Sequence, residues 1–177
     1  MVLLLAMSAG SLQLSAQPGK QPPTHNRNIG TVSRDQARFK KEKTRIMATR
    51  QQPGGERVVY NNRTYDYNNG RFYMENNGRY IQAPPPRGMH VKSLPSTYVR
   101  INFGNIFYYF FEGVFYSDRN GYYEVVYPEV GTVVDALPAD YEKVVYNGET
   151  FYEYNGVLYE KLRNGNQRGY RVVGYLS

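Results

Sequence analysis

The stretch Asn147–Glu160, NGETFYEYNGVLYE, sets two Asn-Gly pairs eight residues apart, with aromatic residues between and after them. Asn and Gly both accept positive φ, which the two central residues of a type I′ hairpin turn require. With Asn155-Gly156 as such a turn, Tyr154 faces Val157, Glu153 faces Leu158, Tyr152 faces Tyr159 and Phe151 faces Glu160. Side chains alternate between the two faces of a strand. One face then carries Phe151, Glu153 and Leu158, and the other carries Tyr152, Tyr154, Val157 and Tyr159.

The same hairpin is written upstream. YNGVLY (Tyr154–Tyr159) falls on FEGVFY (Phe111–Tyr116) and on NNGRFY (Asn68–Tyr73) at successive shifts of 43 residues. Leu94-Pro95 recurs as Leu137-Pro138, Gly88 as Gly131 and Tyr98 as Tyr141 at the same shift. A period of this length marks stacked supersecondary units. Within each unit, strand-sized runs of Val, Ile, Tyr and Phe are bounded by Gly and Asn, the signal for strands and tight turns. The predicted fold is all-β, with tandem small antiparallel hairpin or meander repeats of 43 residues: a partial first unit at 57–86, then 87–129 and 130–177. Tyr65, Tyr67 and Phe72, Tyr108, Phe110 and Phe115, and Phe151 and Leu158 form the expected core face. The second face is polar in the first unit (Asp66, Asn68, Arg71), as suits a terminal unit whose outer side meets water. The middle unit is aromatic on both faces, so it is expected to be covered on both sides with Phe110 deeply buried.

Ahead of the repeats lies a different composition. Val2–Ala9 is a short apolar run followed by small and polar residues, which reads as a signal peptide over residues 1–16, although no Lys or Arg precedes it. Residues 17–56 form a basic arm, with a short basic helix expected near 33–50 and Ser33 as its N-cap. Residues 18–57 hold ten basic and three acidic residues, and the rest of the chain twelve of each, so the whole net charge of +7 falls within the arm and the Arg57 that follows it. A neutral body argues against a nucleic-acid surface, and the arm is a handle for any polyanion, carried by Lys40, Lys41, Lys43 and Arg45. No segment after the leader is long and apolar enough to span a bilayer as a helix.

The chemistry-bearing residues are sparse. The chain has no cysteine, which excludes disulfides, thiolate metal sites and a catalytic thiol. His25 and His90 belong to no metal-ligand spacing, and no phosphate-cradling glycine motif or cofactor fingerprint occurs. Asp135, Asp140 and Glu142 near Leu137-Pro138 are the only carboxylates placed to suggest a hydrolytic pair.

LPADYEKVVYNGETFYEYNGVLYE followed by GYRVV, with GMHVKSLPSTYVRI, YYFFEGVFY and GYYEVVYPEVG in the middle unit, resembles domain-of-unknown-function family 6515, a Bacteroidetes-type family of exported bacterial proteins. The resemblance implies an envelope location, periplasmic or outer-envelope associated, and small β units, and it supplies no activity or site residues. The expected role is therefore a non-enzymatic envelope module that meets a protein or a glycan. Tyr109, Tyr116, Tyr152 and Tyr159 on the second faces are the candidate aromatic platforms. Polyanion binding by the arm is the alternative, and a carboxylate-dependent hydrolase the third.

Overall fold

The computed structural model describes residues 27–40, 48–164 and 167–177. The expected signal peptide at 1–16, His25, Lys41, Lys43 and Arg45 lie outside the described residues. An arm supplies β1 (Gly30–Val32) and β2 (Arg38–Phe39). A first sheet follows, from β3 (Ala48–Thr49), β4 (Glu56–Tyr60), β5 (Arg63–Asn68), β6 (Arg71–Asn76) and β7 (Arg79–Gln82), in the order β3-β7-β6-β5-β4. A second sheet holds β8 (His90–Val91), β9 (Val99–Phe103), β10 (Ile106–Phe111), β11 (Val114–Asp118) and β12 (Tyr123–Val126), in the order β8-β12-β11-β10-β9. The third holds β13 (Val133–Val134), β14 (Glu142–Tyr146), β15 (Glu149–Tyr154), β16 (Val157–Asn164) and β17 (Gln167–Leu176). The arm joins this third sheet at both edges, β1 parallel to β17 and β2 antiparallel to β14. The chain is thus all-β, and β4, β9 and β14 begin at residues 56, 99 and 142, each 43 residues after the last.

The hairpin register follows from the turns. Asn69-Gly70, Glu112-Gly113 and Asn155-Gly156 all have positive φ at both positions, the type I′ signature. Tyr152 pairs with Tyr159, Tyr109 with Tyr116 and Asp66 with Tyr73, which places the faces as the sequence reading has them.

The sheets stack head to tail. Tyr65, Tyr67 and Phe72 of the first sheet pack against Val114, Tyr116 and Val125 of the second. Tyr108 and Phe115, on the second sheet's other face, pack against Tyr154, Val157, Tyr159 and Val172 of the third. The third sheet's remaining apolar face, Phe151, Leu158 and Val173, is covered by Val32 and Ala37 of the arm, with Ile29 and Phe39 alongside. The first sheet's outer face carries Asp66, ion-paired to Arg57 at 3.2 Å, and Asn68, whose side-chain amide donates to the Pro53 carbonyl.

Two expectations are corrected. Among the described residues there is no helix, hence none long and apolar enough to cross a membrane. In the described part of the expected helix, Arg34–Gln36 form a turn and Arg38–Phe39 and Ala48–Thr49 are strands. Intrinsic propensity loses to tertiary demand here: the arm covers an apolar face and an edge of the third sheet, and Ala48–Thr49 pairs with the β7 edge of the first. Phe110 is half-buried rather than deep, and Phe115, its cross-strand partner 4.7 Å away ring to ring, fills the core with 2% exposure.

Each joint between sheets uses one device. A Cβ on Gly70 would stand 2.3 Å from the Phe111 ring and 2.7 Å from Pro95, both in the second sheet's unit. A Cβ on Gly113 would stand 2.4 Å from the Tyr154 ring and 2.7 Å from Pro138 of the third. The hairpin tip of one unit is thus pressed against an aromatic residue and the Leu-Pro turn of the next.

Phe115→Ala is expected to destabilise the chain by about 3–5 kcal/mol, the range for emptying a core Phe site, with Phe110→Ala clearly less. Asn68→Ala should cost about 0.5–1.5 kcal/mol for its hydrogen bond to Pro53. Gly113→Ala should cost about 1–2 kcal/mol for its positive φ and about 1–3 kcal/mol more for overpacking Tyr154 and Pro138. Gly78→Ala, also at positive φ but with open space around it, should show the conformational part alone. Urea denaturation measures all five.

Candidate functional site

The Leu-Pro motif builds the candidate site. The Tyr98 amide donates to the Pro95 carbonyl at 3.1 Å, and the Tyr141 amide to the Pro138 carbonyl at 3.1 Å. Each is a β-turn closed by an i to i+3 bond, and each delivers the tyrosine at its end to the sheet beside it. Tyr98 meets Tyr109 at 5.0 Å between ring centroids, and Tyr109 meets Tyr123 at 5.1 Å, both edge to face. In the third sheet Tyr141 meets Tyr152 at 5.4 Å, and Tyr152 meets Tyr170 at 5.3 Å. All six rings are half-buried. The first sheet has Gly55 and Asp66 at the corresponding places and forms no such triad.

A cation stands over each triad. The Arg100 guanidinium lies 5.8 Å from the Tyr109 ring centre and 5.5 Å from that of Phe107. The Lys161 ammonium lies 6.0 Å from Tyr152 and 5.9 Å from Tyr170. Both arrangements fall within the range of cation–π attraction. Burial and the neighbouring phenols push the Tyr170 hydroxyl above its ordinary pKa.

The structure splits the four tyrosines of the sequence reading. Tyr109 and Tyr152 remain accessible in the triads. Tyr116 and Tyr159 are corrected: both are fully buried between sheets and offer no platform. Each lies on the sheet's middle hairpin strand, one place inward in the rows Arg100–Tyr109–Tyr116–Val125 and Lys143–Tyr152–Tyr159–Val172. Tyr98, Tyr123, Tyr141 and Tyr170 escaped the sequence reading, though the repeated Leu-Pro-x-x-Tyr spacing signals two of them.

Other candidates resolve differently. Lys40, the one described member of the basic cluster, donates to the Thr150 hydroxyl at 2.9 Å. Neighbouring arm cations are also engaged, Arg27 with Glu149 at 2.6 Å and Arg34 over the Phe39 ring. The arm cations named here are therefore docked on the third sheet rather than held out on a solvated tail. Asp140 and Glu142 line a pocket of about 330 Å3 with Glu153, Arg34 and Pro84. Glu153 is buried, and its carboxylate accepts the Gly156 turn amide at 2.8 Å. Asp135 is exposed and is not among the pocket's lining residues. His90 is exposed and its ring meets that of Tyr122 at 4.5 Å, tilted by 42°. Among the described residues no group of three His, Asp or Glu side chains is arranged to hold a metal ion.

The buried phenols give the fold an alkaline limit. Desolvation pushes Tyr67 up to about 12 and raises Tyr116, Tyr154 and Tyr159 further. A raised folded-state pKa contributes stability that is complete below the ordinary value of 10.0 and is lost as pH climbs past it. Tyrosinate absorbance should therefore show these phenols ionising only together with unfolding, and the urea midpoint should fall steadily between about pH 10 and 12.

No curated protein and no solved structure matches this chain. The sequence model of the family of unknown function DUF6515 matches residues 46–175, which takes in the three sheets apart from the arm strands β1 and β2 and includes both tyrosine triads, and the chain belongs to that family.

Proposed function

We infer that this protein is an exported, non-enzymatic β module of the cell envelope, made of three repeats at 57–86, 87–129 and 130–177, whose tyrosine triads hold an acidic glycan. The observation that carries the reading is the half-exposed triad with a cation above it, present in both the second and the third sheet. Tyrosine rings offer an apolar face to the C–H side of a sugar while their hydroxyls stay wet. A sugar carboxylate adds a charge-assisted hydrogen bond to Arg100 or Lys161. Two like sites on one rigid stack suit a polymer of repeating units, because the second contact forms at high effective concentration. The non-enzymatic part is supported by Glu153, the buried carboxylate of the acidic pocket, which caps its own hairpin turn.

Calorimetric titration with an oligogalacturonate and with a neutral glucan of equal length tests this. The acidic ligand should bind better; Arg100→Ala should reduce that preference, and the Arg100→Ala/Lys161→Ala double variant should remove it. Tyr109→Ala and Tyr152→Ala should each weaken binding about tenfold, or ~1.4 kcal/mol, while Asp140→Asn leaves it unchanged. Equal affinity for the two glycans, or full binding by the Tyr109→Ala/Tyr152→Ala double variant, would sink the reading. Loss of binding only on neutralising Lys41, Lys43 and Arg45 would transfer the site to the arm.

A further inference from the structure

The third sheet shows how this fold covers its edge. Phe39 and Arg38 pair antiparallel with Val144 and Val145, and the Lys40 amide donates to the Lys143 carbonyl at 2.8 Å. β4 and β9 occupy the same place in the first and second sheets, at the end of the strand order, and among the described residues no strand pairs with their outer side. Outward main-chain groups alternate along an edge strand. Since Lys143 turns its carbonyl outward on β14 and pairs with Tyr152 as Arg100 pairs with Tyr109, Arg100 and Asn102 turn theirs outward on β9.

Exposed apolar side chains gather at this edge. Val99 is 56% exposed, Ile106 40% and Phe107 51%, all on the β9–β10 hairpin. β9 has no proline, no lysine and no bulge, and its one charged side chain, Arg100, is drawn over the Tyr109 and Phe107 rings. β4 differs, because Glu56 is ion-paired to Lys92 and Arg57 to Asp66, and only Val59 stands out among its apolar residues.

We propose that β9 is the docking edge for a second copy of this chain, β9 pairing antiparallel with β9 about a twofold axis at Ile101. The two five-stranded second sheets then become one continuous sheet. The register is fixed by charge and by the outward main chain. It sets Arg100 opposite Asn102, Val99 opposite Phe103, and Ile101 opposite itself. The outward groups of Arg100 and Asn102 meet each other, and no like charges face across the seam. A shift of one place in either direction along the outward set either opposes the two Arg100 side chains or leaves Arg100 facing Gly104. The contact is isologous, so it closes at two copies. About Val58, β4 would set Glu56 against Tyr60 and would disturb both of its ion pairs.

Sedimentation velocity of the full chain, run in a series up to about 100 µM, should show a monomer passing into a dimer and no larger species. Asn102→Pro removes an outward donor at an edge, where proline is tolerated, and should abolish the dimer with the urea midpoint of the monomer nearly kept. Val99→Lys should weaken association about tenfold or more. The chain has no cysteine, so a single introduced thiol reports the register. Ile101→Cys places two thiols on a non-hydrogen-bonded pair about 4.5 Å apart at Cα, within disulfide range, and should give a covalent dimer on mild oxidation. Arg100→Cys under the same conditions should not. A chain that sediments as a monomer throughout overturns the proposal and leaves the edge to a strand of another protein. Cross-linking of Arg100→Cys as fast as Ile101→Cys overturns the register.

Discussion

The contact on which the stack depends is a hairpin tip with no side chain, pressed against an aromatic ring and a proline of the next unit. Gly70 meets Phe111 and Pro95, and Gly113 meets Tyr154 and Pro138. These glycines satisfy two demands at once. Their positive φ closes the type I′ turn, and their missing Cβ lets the next sheet approach. The Leu-Pro turn is likewise used twice, since its proline seats the previous hairpin and its closing tyrosine joins the triad on its own sheet. Sheet stacking and the candidate site therefore share the five-residue Leu-Pro-x-x-Tyr motif. That shared origin explains why the first sheet, which has no Leu-Pro before it, has no triad either.

A stack of this kind has two unlike ends. Each sheet offers an aromatic face to the next unit, and among the described residues no fourth sheet meets the corresponding face of the third, Phe151, Leu158 and Val173. The arm turns back to fill that place, and it contributes β1 and β2 as extra strands as well as Val32 and Ala37 to the core. The first sheet is finished differently. Its outer face replaces the tyrosine of the other units with Asp66, which is buried and ion-paired to the exposed Arg57. Termination is thus achieved by polar substitution at one end and by an added segment at the other.

Much of this is legible in the sequence, for a definite reason. A two-residue turn fixes hairpin register, and a fixed register assigns every side chain to a face. What the period of two does not encode is the position of a strand within its sheet. Tyr109 and Tyr116 share a face and a row, yet the strand order puts Tyr116 in the interior and Tyr109 nearer the edge. Tyr152 and Tyr159 repeat the distinction, which is why two of the four proposed platforms proved to be core. Phe110 and Phe115 were separated by the same effect. The arm failed differently. Its helix-forming composition and Ser33 cap are local signals, while the uncovered face and edge that it fills lie more than a hundred residues away.

Glu112 shows where packing energy alone does not decide a residue. It stands at the turn position that holds Asn69 and Asn155 in the other units, at φ 42, a conformation that Asn tolerates better than Glu. The left-handed region costs such a side chain about 1–2 kcal/mol. Its carboxylate takes both Nε and Nη2 of Arg71, from the first sheet, and this contact raises the Arg71 pKa. Both partners are more than a third exposed, so the pair returns about 0.2–1 kcal/mol, less than the turn costs. Stability therefore does not account for Glu at this place. The contribution that remains is geometric. A planar bidentate pair fixes distance and angle together, and this one spans the joint between the first and second sheets, directly beside the Gly70 contact. The third unit has Asn155 there, whose side-chain amide donates to the Pro85 carbonyl in the linker between the first two sheets. At both turns the residue before the glycine ties its hairpin tip to another part of the stack, which orients sheets that apolar packing alone would leave free to slide.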